Sequence, residues 1–224
     1  MHDRISTNFS EIPEDAPIAF VDSGIGGLPY LEWTKERLPR ETFVYWADRE
    51  NFPYGPKTPE QVYAAVSSGV GRIIRAVGPK LFVVACNTAS VVALARLREN
   101  FPGIPFVGTV PAVKPAAGLS RAKKIGIIAT EMTVRDAYLD DLVERFAADC
   151  DVVRVAGPGI VDFVEKRFFS STSAERDGII ADAARIFREK AVDQVVLGCT
   201  HFLYVADELR SRLGAGVGIV DSRE

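Results

Sequence analysis

Short, unbroken apolar runs that stop abruptly on small polar residues recur along this chain, each followed by a stretch with helical spacing. A run that is apolar at every position does not suit a strand with one wet face. It belongs in a parallel sheet covered by helices on both sides, and parallel neighbours need a crossover between them. The apolar runs predict strands at 18–21, 42–47, 81–85, 125–129, 152–155, 194–197 and 217–220. The intervening patterns predict helices at 28–37, 59–77, 90–99, 133–146, 174–190 and 205–213. The 59–77 segment carries its own start signal: Thr58 as N-cap, Pro59 at the first helical position and Glu60 in the first turn.

Proline and glycine crowd into 102–115 (PGIPFVGTVPAVKP), which interrupts the alternation and marks a crossing between domains. The halves on either side echo each other: AFVDSGIGGLPY has the pattern of GIIATEMTVRDAY, and VVACNTAS that of VVLGCTHF. The expected fold class is α/β, with two pseudo-symmetric, doubly wound parallel-sheet domains and the active site in the cleft between them. The expected boundaries are an N-terminal arm at 1–15, a first domain at 16–108 plus 214–224, and a second at 109–213.

At 224 residues the chain can bury a core in each of two domains. Its formal charge of −3, with acids and bases interspersed, provides no electrostatic footprint for nucleic acid or an anionic membrane surface, so a small-molecule partner is expected. No apolar stretch approaches 18 residues, and the opening MHDRISTNFSEIPED is polar rather than a signal peptide. Three cysteines without framework spacing suit a reducing compartment, and a cytoplasmic location is expected.

Two of those cysteines, Cys86 and Cys199, each end an apolar run and precede small polar residues. Strand carboxyl ends are where ligands bind in open α/β sheets, and two thiols facing one substrate can exchange protons with it from both sides. Cys150, in AADCDVV, lacks the polar turn and is read as structural. Asp22 closes the first apolar run and can orient or deprotonate a neighbour, whereas the GIGGLP that follows fits a dinucleotide fingerprint poorly. Asn87, Thr88 and Thr200 put hydrogen-bond donors after the cysteines, at helix starts that favour a carboxylate. Pro53-Tyr54-Gly55 is a loop whose exposed backbone N–H groups suit the same anion. His201, two residues from Cys199, is placed to act as its acid–base partner. Cys86, Cys199, His201 and Asp22 are also legitimate zinc ligands, but without a C-x₂₋₄-C pair the metal reading is set aside.

Taken together, DSGIGGL (22–28), PYG (53–55), ACNTAS (85–90), GTVPA (108–112) and LGCTHF (197–202) resemble the cofactor-independent aspartate/glutamate racemase superfamily, and the histidine after the second cysteine resembles its glutamate branch. The resemblance implies a two-base racemase without cofactor or metal, acting as a homodimer on glutamate and supplying D-glutamate for peptidoglycan. It implies Cys86 as the base for D-glutamate with Asp22 assisting, and Cys199 as the base for L-glutamate with His201 assisting. It places substrate contacts at Ser23, Tyr54, Gly55, Asn87, Thr88, Thr130, Thr133 and Thr200, and Glu165 beside the second base. Leu203 and Met132 depart from the family pattern, and similar enzymes continue past residue 224 with a helix that packs on the first domain. An aspartate racemase and a non-catalytic carboxylate binder remain alternatives.

Overall fold

The computed structural model describes residues 13–223, and two compact units divide after Thr109. In the first unit, β1 (Ile18–Asp22), α1 (Leu28–Arg37), β2 (Phe43–Ala47), α2 (Pro59–Val77), β3 (Leu81–Val84), α3 (Asn87–Asn100) and β4 (Phe106–Gly108) build a parallel sheet of order β2-β1-β3-β4. In the second, the order of elements is α4 (Val113–Leu119), β5 (Lys124–Ala129), α5 (Glu131–Val134), α6 (Ala137–Phe146), β6 (Asp151–Ala156), α7 (Ile160–Lys166), α8 (Ser173–Ile179), α9 (Ala181–Glu189), β7 (Gln194–Leu197), α10 (Ala206–Leu213) and β8 (Gly218–Val220). These form a parallel sheet of order β6-β5-β7-β8. The two orders are the same permutation, as the echo between the halves predicts. Most of the arm expected at 1–15 lies outside the described residues. Its end, from Pro13, is a turn closed by the Ala16 N–H on the Pro13 carbonyl.

The first unit's core explains why its strands read as continuous apolar runs. All five residues of β1 are buried, and α2 lays Val62, Val66, Val70 and Ile73 on the sheet. Each such side chain contributes roughly 1.5–3 kcal/mol of transfer free energy. This helix runs over the predicted span. Thr58 accepts the Gln61 N–H while the Gln61 side chain accepts the Thr58 N–H, and Gly78 stops the helix in the left-handed conformation at φ 53°. In the second unit Ile125, Ile127, Leu139 and Val196 anchor an equivalent core, against which Cys150 packs, as its structural reading requires.

One expectation is corrected. Residues 214–224 do not return to the first sheet: β8 pairs with β7 in parallel, Val195 opposite Ile219, and the Ser222 hydroxyl donates to the Val110 carbonyl at 2.5 Å. The cause is connectivity, because α10 ends at Gly214 on the second unit's own face and leaves only a short turn before β8. Two long expected helices are also divided. The stretch 133–146 breaks at Asp136, whose carboxylate caps α6 through the Tyr138 N–H (2.8 Å), and 174–190 breaks at the fully buried Ile180.

Candidate functional site

Strand carboxyl ends gather the expected residues in the first unit. Asp22 ends β1 with no exposed surface. Its Oδ2 accepts the Gly24 N–H at 3.1 Å and the Gly27 N–H at 3.3 Å, while Oδ1 is buried and has no hydrogen-bond partner among the described residues. A carboxylate with one oxygen saturated and the other free is poised to accept one more proton or donor. The register of β1 on β3 sets Val21 opposite Val84 and continues in the Ala85 N–H to Val21 carbonyl bond (2.9 Å), so Cys86 follows on the strand next to Asp22.

Cys86 is buried, holds an extended backbone and stands at the N-cap of α3, whose first turn contains Asn87 and Thr88. A thiolate there faces the positive end of a 14-residue helix. Ser23 and Asn87 are buried, and Asn87 Oδ1 is a second oxygen without a partner among the described residues.

The PYG loop is tied to β2 by a residue the sequence reading passed over. Asp48, buried at the end of that strand, accepts the Tyr54 hydroxyl at 2.7 Å and the Asn51 amide at 3.0 Å on both oxygens. Tyr54 is almost wholly buried, and burial together with that bond to Asp48 pushes its phenol far above the ordinary tyrosine value. Its hydroxyl proton is therefore committed to Asp48, and the loop is held as a frame around Gly55, where a Cβ would meet nothing within 4 Å. The signal for Asp48 was an acid after an apolar run, the same that marked Asp22.

In the second unit, Gly198 and Cys199 follow β7, and a 3₁₀ turn over Thr200–Val205 begins at once. His201 is nearly inaccessible. Its Nδ1 lies 3.8 Å from Cys199 Sγ, and its Nε2 lies 2.7 Å from Glu165 Oε1 on α7. The carboxylate fixes the ring so that Nδ1 is the nitrogen presented to sulfur. Thr130 follows β5, the strand beside β7, and its hydroxyl caps the first turn of α5 through the Thr133 N–H, with the two hydroxyls 2.9 Å apart. Thr200 is buried beside the cysteine. Among the described residues, no group of three or more His, Cys, Asp or Glu side chains is arranged to hold a metal ion. No described helix is long and apolar enough to cross a membrane.

Two parallel-sheet units, each presenting a strand-end thiol next to a buried acid–base group, define an α/β protein built for proton transfer. The Asp/Glu/Hydantoin racemase family matches residues 30–224. A glutamate racemase of Sphingopyxis alaskensis is 44% identical over 214 residues, 94% of this chain and 79% of that protein. One from a Roseiflexus strain is 39% identical over 206 residues, 92% of this chain and 75% of its own. The crystal structure of Escherichia coli glutamate racemase in complex with L-glutamate and the activator UDP-MurNAc-ala superposes with a TM-score of 0.83 at 36% identity, covering 92% of this chain and 78% of that one. This chain belongs to the Asp/Glu/Hydantoin racemase family.

Proposed function

We propose that the protein interconverts L- and D-glutamate by a two-base mechanism and supplies D-glutamate for the cell wall. The observation that carries the reading is the matched pair of strand-end cysteines, each with its own buried acid–base neighbour: Asp22 for Cys86, and His201 held by Glu165 for Cys199. An α-hydrogen is a poor acid, so its removal needs a base positioned within hydrogen-bond reach and donors for the charge that builds on the carboxylate. In one direction the Cys86 thiolate takes the α-proton of D-glutamate, the C–H bond breaking as S–H forms, and the Cys199 thiol gives its proton to the opposite face of the carbanion. The reverse direction exchanges the roles. Ser23, Tyr54, Gly55, Asn87, Thr88, Thr130, Thr133 and Thr200 are assigned to substrate, with backbone and side-chain N–H and O–H groups binding its carboxylates, Tyr54 through its backbone N–H since its hydroxyl proton is held by Asp48.

The relatives named glutamate racemase, and the L-glutamate in the Escherichia coli structure, support glutamate as substrate. Three free cysteines, two of them in reactive roles, support a reducing, cytoplasmic location. The homodimer remains part of the reading, and sedimentation equilibrium tests it.

The decisive experiment incubates the purified protein in D₂O with each glutamate enantiomer and no added cofactor. Deuterium should enter the α-position from both, and changing either Cys86 or Cys199 to serine should slow racemisation by about 10³-fold or more. Retention of the α-hydrogen in both directions refutes the proposal. Faster exchange with aspartate than with glutamate moves the substrate to the smaller acid.

A further inference from the structure

The loop between β1 and α1 makes the carboxylate of Asp22 available and is closed from within by that carboxylate's bonds to the Gly24 and Gly27 N–H groups and by the Leu28 N–H on the Ile25 carbonyl. Residues 22–27 read Asp-Ser-Gly-Ile-Gly-Gly, a sequence with little side-chain packing of its own and high backbone freedom. A further constraint comes from the neighbouring strand. Tyr45, opposite Phe20 in β2, reaches over the loop with its hydroxyl: Oη accepts the Gly27 N–H at 3.1 Å, donates to the Gly24 carbonyl at 3.0 Å, and stands 3.4 Å from Asp22 Oδ2. A single oxygen thus joins both ends of the turn and the carboxylate inside it.

Gly27 is pressed between this hydroxyl and the strand that bears the thiol. A Cβ at Gly27 would lie 3.0 Å from Tyr45 Oη and 2.7 Å from Ala85 Cβ, and Ala85 immediately precedes Cys86. The contacts therefore run without a gap from Tyr45 through Gly27 to the backbone that carries Cys86. The same arrangement spends Asp22 Oδ2 on the Gly24 and Gly27 N–H groups and leaves Oδ1 without a partner among the described residues.

We propose that Tyr45 is a positioning residue for proton transfer at Cys86: by clamping Gly24 and Gly27 it holds Asp22 with Oδ2 saturated by backbone and Oδ1 as the oxygen that serves the thiol. This rests on the two-base reading above. In this role Tyr45 acts through Asp22. Its removal should therefore slow only the step at Cys86 and leave the step at Cys199 as it was.

Primary isotope effects on kcat/KM separate the two steps, because each enantiomer surrenders its α-hydrogen to a different thiol. In Tyr45→Phe, which removes one oxygen and leaves the Gly27 N–H its bond to Asp22, kcat/KM should fall about fivefold to tenfold, the effect of losing one or two ordinary hydrogen bonds. The isotope effect with α-deuterated D-glutamate should rise, since Cys86 chemistry becomes more limiting, and that with α-deuterated L-glutamate should fall. A variant merely damaged in its fold lowers the rate with both isotope effects unchanged, and that result overturns the proposal. In an Asp22→Asn background Tyr45→Phe should add no further change in either isotope effect, and an undiminished change there overturns it as well. Circular dichroism and the melting temperature establish that each variant is folded. Wild-type protein that fails to racemise glutamate sinks the two-base reading itself, an outcome distinct from active wild type with an indifferent Tyr45→Phe.

Discussion

Gly198 sets how closely the strand bearing Cys199 can approach its neighbour, and Gly198→Ala measures what that closeness is worth. A Cβ built there lies 2.8 Å from Ala129 Cβ and 3.2 Å from the Ile128 carbonyl oxygen. Ordinary carbon–carbon contact begins near 3.5–4.0 Å, so the strand end must move by about 1 Å. No rotamer relieves the clash, because the obstructing atoms are backbone and a β-carbon, and the Gly198 N–H is itself bonded to that Ile128 carbonyl at 2.8 Å. Overpacking of this kind costs about 1–3 kcal/mol, or a melting-temperature loss of about 2–12 °C in a chain of this size. The movement is delivered to the next residue, Cys199, and a misplacement of about 1 Å at a reacting group can cost ~10²-fold in rate. Racemisation of both enantiomers, followed by circular dichroism at saturating substrate, should therefore fall about a hundredfold while the protein remains folded at 25 °C. Ala129→Gly in the same chain removes the closest contact and should restore at least about tenfold of the loss, a coupling expected only for residues in direct contact. A Gly198→Ala enzyme within about threefold of wild type, or a double variant no faster than the single, refutes the steric argument.

Glu165→Gln keeps the shape beside His201 Nε2 but removes the charge. Charge-assisted hydrogen bonds are roughly twice as strong as neutral ones, so kcat should drop about tenfold, with the melting temperature little changed; kcat equal to wild type in initial-rate assays removes Glu165 from the relay. Asp193 tests pH-linked stability in the second unit. Burial pushes its carboxyl up, but the Ser120 hydroxyl (2.6 Å) and the Arg121 and Ala122 N–H groups (2.7 and 2.8 Å) outweigh burial and hold it below the ordinary aspartate value. A carboxylate lowered on folding contributes stability above its unfolded value, near 3.9, that disappears as pH falls through the lower folded value. Asp193→Asn should thus destabilise the protein by about 1.5–3 kcal/mol at pH 7 in urea unfolding and by progressively less below pH 4; a deficit that is constant with pH contradicts the assignment.

What the sequence made legible follows from how locally each feature is encoded. Strands such as β1 and β7 are buried along most or all of their length, so apolarity alone marks them, and α2 announces itself through Thr58, Pro59 and Glu60. The β4 strand was hidden because its three residues sit in a run of prolines and glycines that reads only as breakers. The seven-residue α7 has no periodic signal of its own, so Glu165 could be reached by resemblance and not by pattern. Asp22, Cys86, Cys199 and His201 were visible because strand ends are visible. Asp48 carried the same strand-end signal and was passed over, whereas Tyr45 was not visible, because its role depends on which strand lies beside which, and that is a property of the register.

Packing beside the two cysteines also gives the units a shared feature. In the first, the residue before the cysteine is Ala85, and the residue packed against it is Gly27; in the second, the residue before the cysteine is Gly198, and the residue packed against it is Ala129. Each pair would set Cβ against Cβ at under 3 Å if both members carried one, so each site has room for a single methyl group. The alanine sits on the cysteine's strand in one unit and on the neighbouring strand in the other, which means that the spacing is kept while the residue supplying it is not. Close approach at this point keeps the end of the neighbouring strand, Asp22 in one unit and Ala129 followed by Thr130 in the other, beside the thiol-bearing strand, and that approach is what converts two strand ends into a site. The prediction for Gly198 therefore extends to its counterpart: Gly27→Ala should damage the step at Cys86, raising the isotope effect for D-glutamate, whereas Gly198→Ala should raise that for L-glutamate.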